Sequence, residues 1–153
     1  MIKKIPANTP TFQYYNANPK DKRSADCVLR AISLATGKSW DEVLDDLVTY
    51  SHKYKEMPND TKCYSKYLED LGFIKMSQPR KEDNTKYTGS EFCEWLNKHG
   101  KDSRVIVAHI GAQHIAAIVP GINQEDKKGR YKIHDTWNCS RRCVGTYWMK
   151  YVE

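Results

Sequence analysis

Three residues of this 153-residue chain have the types and order needed for covalent chemistry on a carbonyl: Cys27, His114 and Asp135. Cys27 stands where a polar lead gives way to an apolar run, Ser24-Ala25-Asp26-Cys27-Val28-Leu29-Arg30-Ala31-Ile32. A thiol opening a helix faces backbone N–H groups that lack intrahelical partners, together with the positive end of the helix dipole. Both favour the thiolate, which is the nucleophilic form. Such a nucleophile needs a base, and the base needs a group that orients it. His114 and Asp135 fit those roles if the strands bearing them pair as an antiparallel hairpin with Val119 opposite Arg130. Opposed residue numbers then keep a constant sum, which puts His114 opposite Asp135, on one face, with Cβ atoms about 4.5–5.5 Å apart. Trp137 falls on the same face of its strand as Asp135, where an aromatic ring would shield the imidazole–carboxylate bond from water.

Other residues compete for these roles. His109 is the rival base, on the neighbouring strand but without a downstream carboxylate in an equally simple register. His134, Cys139 and Cys143 could hold zinc, although their spacing is not a standard ligand pairing. His134 points away from Asp135's face, and no metal or organic cofactor is expected. Cys63 and Cys93 sit within helical patterns and read as core or edge residues. Arg141-Arg142, with Lys127-Lys128 upstream, is the densest basic cluster; it reads by default as a solvated loop face, and otherwise would favour an acidic substrate or a phosphate-bearing partner.

The elements that must position these groups follow from periodicity. Val28, Ala31, Ile32 and Ala35 repeat at helical spacing from Cys27, with Asp26 or Ser24 as N-cap and Gly37 as the stop. Ser39-Trp40-Asp41-Glu42 is a capping-box pattern for a second helix carrying Trp40, Val43, Leu44, Leu47 and Val48. A third helix starts after Thr61 and closes at Gly72. Residues 74–87 read as a loop, and Ser90 as the cap of a fourth helix carrying Phe92, Trp95 and Leu96. The period then changes to that of strands, at 104–109, 114–119, 130–135 and 144–152, after an early extended segment around 11–15. Helices first and an antiparallel sheet last imply an α+β fold in a single domain over 1–153, with residues 1–10 flexible.

Composition narrows the function. No apolar run approaches the roughly 20 residues of a membrane-spanning helix, and the Met1–Pro6 segment lacks the apolar core of a secretory signal. Five cysteines without a framework point to reduced thiols and a cytoplasmic setting. The net charge of +6 is spread among acids rather than gathered in a stripe, and the aromatic residues sit at core spacings. A nucleic-acid partner is therefore not favoured.

On these residues the chain resembles the papain-like cysteine peptidases. It shares their order of Cys, then His about ninety residues on, then a polar residue on the following strand. Asp135-Thr136-Trp137 resembles that family's Asn-Ser-Trp motif, with Asp for Asn. The surroundings of Cys27, His114-Ile115-Ala116 and Tyr131–Trp137 are similar to small papain-fold proteins of phages and bacteria. The resemblance implies a papain-like fold and a thiol hydrolase cutting an amide bond of a peptide or protein through Cys27, His114 and Asp135. It also implies an oxyanion donor. The family's glutamine, six residues before the nucleophile, is Asp21 here, so Asn18 is expected to serve instead, with Asn16 as the alternative. The other readings that follow are an idle papain scaffold binding a host protein, and an acyl transferase of transglutaminase-like type.

Overall fold

The computed structural model describes residues 4–99, 103–121 and 130–152. In chain order the elements are β1 (Phe12–Tyr14), α1 (Cys27–Thr36), α2 (Trp40–Tyr54), α3 (Thr61–Asp70), β2 (Ile74–Met76), α4 (Gly89–His99), β3 (Arg104–Ile110), β4 (Ile115–Pro120), β5 (Tyr131–Asp135) and β6 (Val144–Tyr151). The fold is mixed α+β. The expected Lys127–Lys128 part of the basic cluster lies outside the described residues, as do residues 1–3 of the segment 1–10.

The sheet corrects one expectation. It has six strands in the order β1-β5-β4-β3-β6-β2, and it is mixed rather than antiparallel, because β1 pairs with β5 in parallel. The helical segments are also interleaved with strands: β1 precedes α1, and β2 separates α3 from α4. β2 lies in the stretch read as a loop. Two of its three residues are exposed and it occupies a sheet edge, so it shows neither alternation nor an apolar run.

Strand alternation divides the core. Val107, Ala117 and Trp148 face α1, α2 and α3, where they pack with Ile32, Val43, Leu47 and Leu68. Their neighbours Ile106, Ile118, Ile133 and Met149 face α4 and pack with Phe92, Cys93 and Leu96. Each face is closed by apolar side chains, which removes the sheet from water on both sides.

Helix ends follow local chemistry. Ser39 accepts from the Glu42 N–H at 3.1 Å, as its capping pattern predicts. In α4 the cap is Thr88 rather than Ser90: Thr88 Oγ1 accepts from the Glu91 N–H at 3.2 Å, and Glu91 Oε1 accepts from the Thr88 N–H at 3.0 Å. Both residues fit the S/T-x-x-E pattern, two positions earlier than the expected start. Gly89 is pressed against β5, where an added Cβ would stand 2.5 Å from Ile133 Cδ1 and 3.3 Å from the Ser140 backbone.

The β4–β5 register also differs from the assumed one. Val119 pairs with Lys132, not Arg130, a shift of two residues. Because side chains alternate with period two, an even shift leaves every residue on its expected face. Continuing that register past the strand ends makes Trp137 the residue opposite His114, and Asp135 its diagonal neighbour.

Candidate active site

α1 starts at Cys27 because Val28, Ala31, Ile32 and Ala35 can be buried together against β4. Asp26 stands at the N-cap position but makes no capping bond. Its carboxylate is used elsewhere: Oδ1 accepts from Arg30 Nε at 2.8 Å, while Oδ2 accepts from Asn18 Nδ2 and Trp40 Nε1, each at 3.0 Å. The first turn of α1 is thus left without a side-chain cap, next to the thiol.

His114 ends the short link from β3 to β4. The link is closed by the Ile110 N–H donating to the His114 carbonyl at 2.9 Å, with Gly111 turned at φ +86. His114 Nε2 is hydrogen-bonded to Asp135 Oδ2. The carboxylate is 1% exposed and the imidazole 16%. With Nε2 on Asp135, Nδ1 is the ring nitrogen left for Cys27. The Trp137 ring lies 4.7 Å from the imidazole, between centroids, and covers it as expected.

Asp135 has four partners. Arg30 Nη1 donates to Oδ1 at 2.7 Å, as does the Thr136 N–H. Oδ2 meets His114 and, at 3.7 Å, the Cys139 thiol. Burial pushes the Asp135 carboxyl up, but the bonds and charges of His114 and Arg30 outweigh it and hold the group below the ordinary carboxylate value. Burial lowers the His114 imidazole, yet Asp135, aided by Cys139 and Cys27, pushes it up to about 11. For Cys27, burial raises the thiol pKa, while the interaction with His114, the Ile115 backbone N–H and the charges of His114 and Arg30 lower it. The net result is a thiol more acidic than usual. The two shifts run in the direction that favours a thiolate beside an imidazolium.

Asn18 is the site residue that the geometry redirects. Its Nδ2 donates to Asp26, and its Oδ1 accepts from the Lys20 and Lys22 N–H groups at 3.0 and 3.4 Å. It braces the loop before α1 and positions Asp26 with one of its two amide hydrogens. The Asn16 amide is likewise engaged, with Asp21 Oδ1 and the Lys22 carbonyl.

The competing residues fall elsewhere. His109 Nε2 is bonded to the Tyr64 hydroxyl at 3.1 Å, and burial, with Lys75 nearby, lowers its pKa. His134 pairs with Ala117 within the sheet, and its Nδ1 meets the Lys132 carbonyl. Among the described residues, His134, Cys139 and Cys143 do not form a metal-ligating group. The group that does converge is His114, Asp135 and Cys139, whose ligand atoms lie within 4.8 Å of one another. Its carboxylate already faces two cationic partners, which opposes a further cation there. Cys139 is pushed up by burial and by the Asp135 charge despite its contact with His114, and stays a protonated thiol.

Two cavities flank the pair. One, of about 510 Å³, is lined by Cys27, Asp60, Thr61, Tyr64 and His109 among others, without His114. The other, of about 270 Å³, is lined by His114, Trp137, Gly111 and Arg142 among others, without Cys27. Ala112 and Gln113 border both. The thiol thus borders one cavity and the imidazole the other.

Sequence reasoning did not single out Arg30 or Asp26 as members of this network. The acid–base spacing of four residues from Asp26 to Arg30 was the available signal, since it marks neighbours on one helix face. No protein-family model, curated protein or solved structure matches the chain. Among the described residues no helix is long and apolar enough to cross a membrane.

Proposed function

We propose that the chain is a papain-like thiol hydrolase that cleaves an amide bond of a peptide or protein. One observation carries this reading. A single imidazole holds a buried carboxylate on Nε2 and interacts with a thiol at an uncapped helix N-terminus, and a cavity adjoins each of the two groups. The order of Cys27, His114 and Asp135-Thr136-Trp137 supports it.

In this reading the Cys27 thiolate attacks the carbonyl carbon. A C–S bond forms and the carbonyl oxygen takes the electron pair. The backbone N–H groups opening α1 are the donors for that oxyanion, in place of an asparagine side chain. His114 gives its proton to the leaving nitrogen, the C–N bond breaks and an amine departs. Water then attacks the thioester, His114 takes its proton, and the C–S bond breaks to release a carboxylic acid and the thiol. Asp135 fixes the ring and stabilises its charged form throughout. All five cysteines are free. A reduced nucleophile suits a cytoplasmic setting.

The test is iodoacetamide labelling near neutral pH, followed residue by residue. Cys27 should react faster than the other four thiols, and His114→Ala should slow it. Equal labelling of all five would overturn the assignment. If a biological effect of the protein survives Cys27→Ala at full strength, the scaffold serves to bind a partner instead.

A further inference from the structure

The hydrolase reading leaves one feature of the cleft unexplained, the guanidinium beyond His114. We infer that Arg142 and Trp137 form the leaving-group side of the cleft and select an amine that carries a carboxylate close to the scissile nitrogen. This inference rests on the proposed function and names a substrate class for the same site.

The direction of the cleft follows from the chemistry. The leaving nitrogen takes its proton from His114, so the departing fragment lies over the imidazole, and the acyl fragment bonded to sulfur lies on the other side. The smaller cavity is the one lined by His114. Its walls are the Trp137 ring, 39% exposed, and Arg142, whose side-chain carbons pack over Gly111 at 3.7 Å from where a Cβ would stand. With no Cβ at Gly111, that side chain passes close over the link between β3 and β4 and lines the same cavity as His114.

Arg142 is also held in place. Its carbonyl accepts from the Gly89 N–H at 2.8 Å, its N–H donates to the Cys139 carbonyl at 2.9 Å, and the adjacent Cys143 carbonyl accepts from the Gly111 N–H at 2.9 Å. Among the described residues its guanidinium makes no ion pair, unlike Arg30. A cation on a fixed backbone, beside an aromatic face and without its own counter-ion, matches a carboxylate in geometry and charge.

Amine partitioning tests this without knowing the natural acyl group. A p-nitrophenyl ester acylates Cys27 and releases nitrophenolate. An added amine then competes with water for the thioester: its nitrogen forms the C–N bond, the C–S bond breaks, and its proton passes to His114. Aspartic acid α-amide and asparagine α-amide are near-isosteres that differ in side-chain charge. Glycine and glycinamide place the same difference in charge on a chain terminus, and every yield is expressed per unprotonated amine, because a neighbouring carboxylate makes the amino group more basic. Amide product is measured by mass spectrometry after subtracting the Cys27→Ala background.

The carboxylate-bearing amine should be preferred by about three- to fivefold, as expected for an exposed ion pair, and less so at high salt. Arg142→Gln should remove the preference and Arg142→Glu should reverse it. Each ratio is read within one protein, so losses on folding cancel. Preference in the aspartate pair assigns an acidic residue after the scissile bond, and preference only in the glycine pair assigns a terminal carboxylate. No preference in either pair, or one that Arg142→Gln leaves intact, overturns the inference while the hydrolase reading stands. No nitrophenolate burst above Cys27→Ala overturns both.

Discussion

The Arg30 guanidinium and the Asp135 carboxylate meet at 2.7 Å although they lie 105 residues apart in the chain. Their side chains are 10% and 1% exposed. Arg30 also holds Asp26 at 2.8 Å, so one cation ties the loop before α1 to the end of β5. Burying these charges has a desolvation cost, which is offset because each carboxylate oxygen has a donor. The helix bearing the sulfur and the strand bearing the carboxylate are thereby locked to each other through charge as well as packing.

Arg30→Met should destabilise the protein by about 3–5 kcal/mol, because it strands two buried carboxylates without their shared cation. Arg30→Lys keeps the charge but cannot bond both acids through a planar fork, and should fall between the two. Urea unfolding at neutral pH measures both.

Asp135→Asn should lower the imidazole pKa, since the charge raising it is gone. The thiol then loses part of the imidazolium partner that keeps it acidic. The midpoint of Cys27 alkylation against pH should move upward, and turnover should fall by about 10²-fold or more. A midpoint that stays in place would separate Asp135 from the activation of the thiol.

Stability should vary with pH in a predictable direction, most simply read in Cys27→Ala, which removes the thiol's own titration. His114 has a raised folded-state pKa, so its contribution is complete below the ordinary value of 6.5 and is lost as pH climbs toward the folded value. Asp26 and Asp135 have lowered folded-state pKa values, so theirs is complete above 3.8 and is lost as pH falls through the folded values. The urea midpoint should peak between these limits. Adding His114→Gln should abolish the alkaline fall and also make the acid side shallower, because His114 helps Arg30 to hold the Asp135 carboxyl down.

Gly89→Ala should cost about 1–3 kcal/mol through overpacking, since its Cβ would meet Ile133 Cδ1 at 2.5 Å and the Ser140 backbone at 3.3 Å. Thermal unfolding measures the loss. Ser90→Ala, two residues past the cap at Thr88, should cost less than Thr88→Ala.

Much of this was legible in the chain. Helical spacing placed α1, α2 and α3, and glycines marked the ends of α1 and α3, since each stripe of apolar residues finds a core to fill; the end of α2, at Lys55 in a left-handed conformation, had no such mark. The His114–Asp135 pairing was also readable, though through a register wrong by two; parity protected it, and the diagonal contact is still within reach of an imidazole. What stayed hidden depends on distant partners. β2 is a strand only because β6 offers it an edge, and Ile74 and Lys75 carry no sign of that. Asp26 looks like a cap until Arg30, Asn18 and Trp40 compete for its oxygens. Asn18 has the right side chain for an oxyanion donor, but Asp26 recruits it first.

β1 adds a consequence for any shortened form of the protein. Its three residues run along β5, with the Phe12, Gln13 and Tyr14 positions matched to Ile133, His134 and Asp135, and the Tyr15 N–H reaches the Asp135 carbonyl at 3.0 Å. Trimming the chain past Tyr15 would uncover that flank of β5 and leave its peptide groups unsatisfied. Such a flank recruits strands from neighbouring molecules. Self-association, rather than simple unfolding, is the behaviour to watch for in such a fragment.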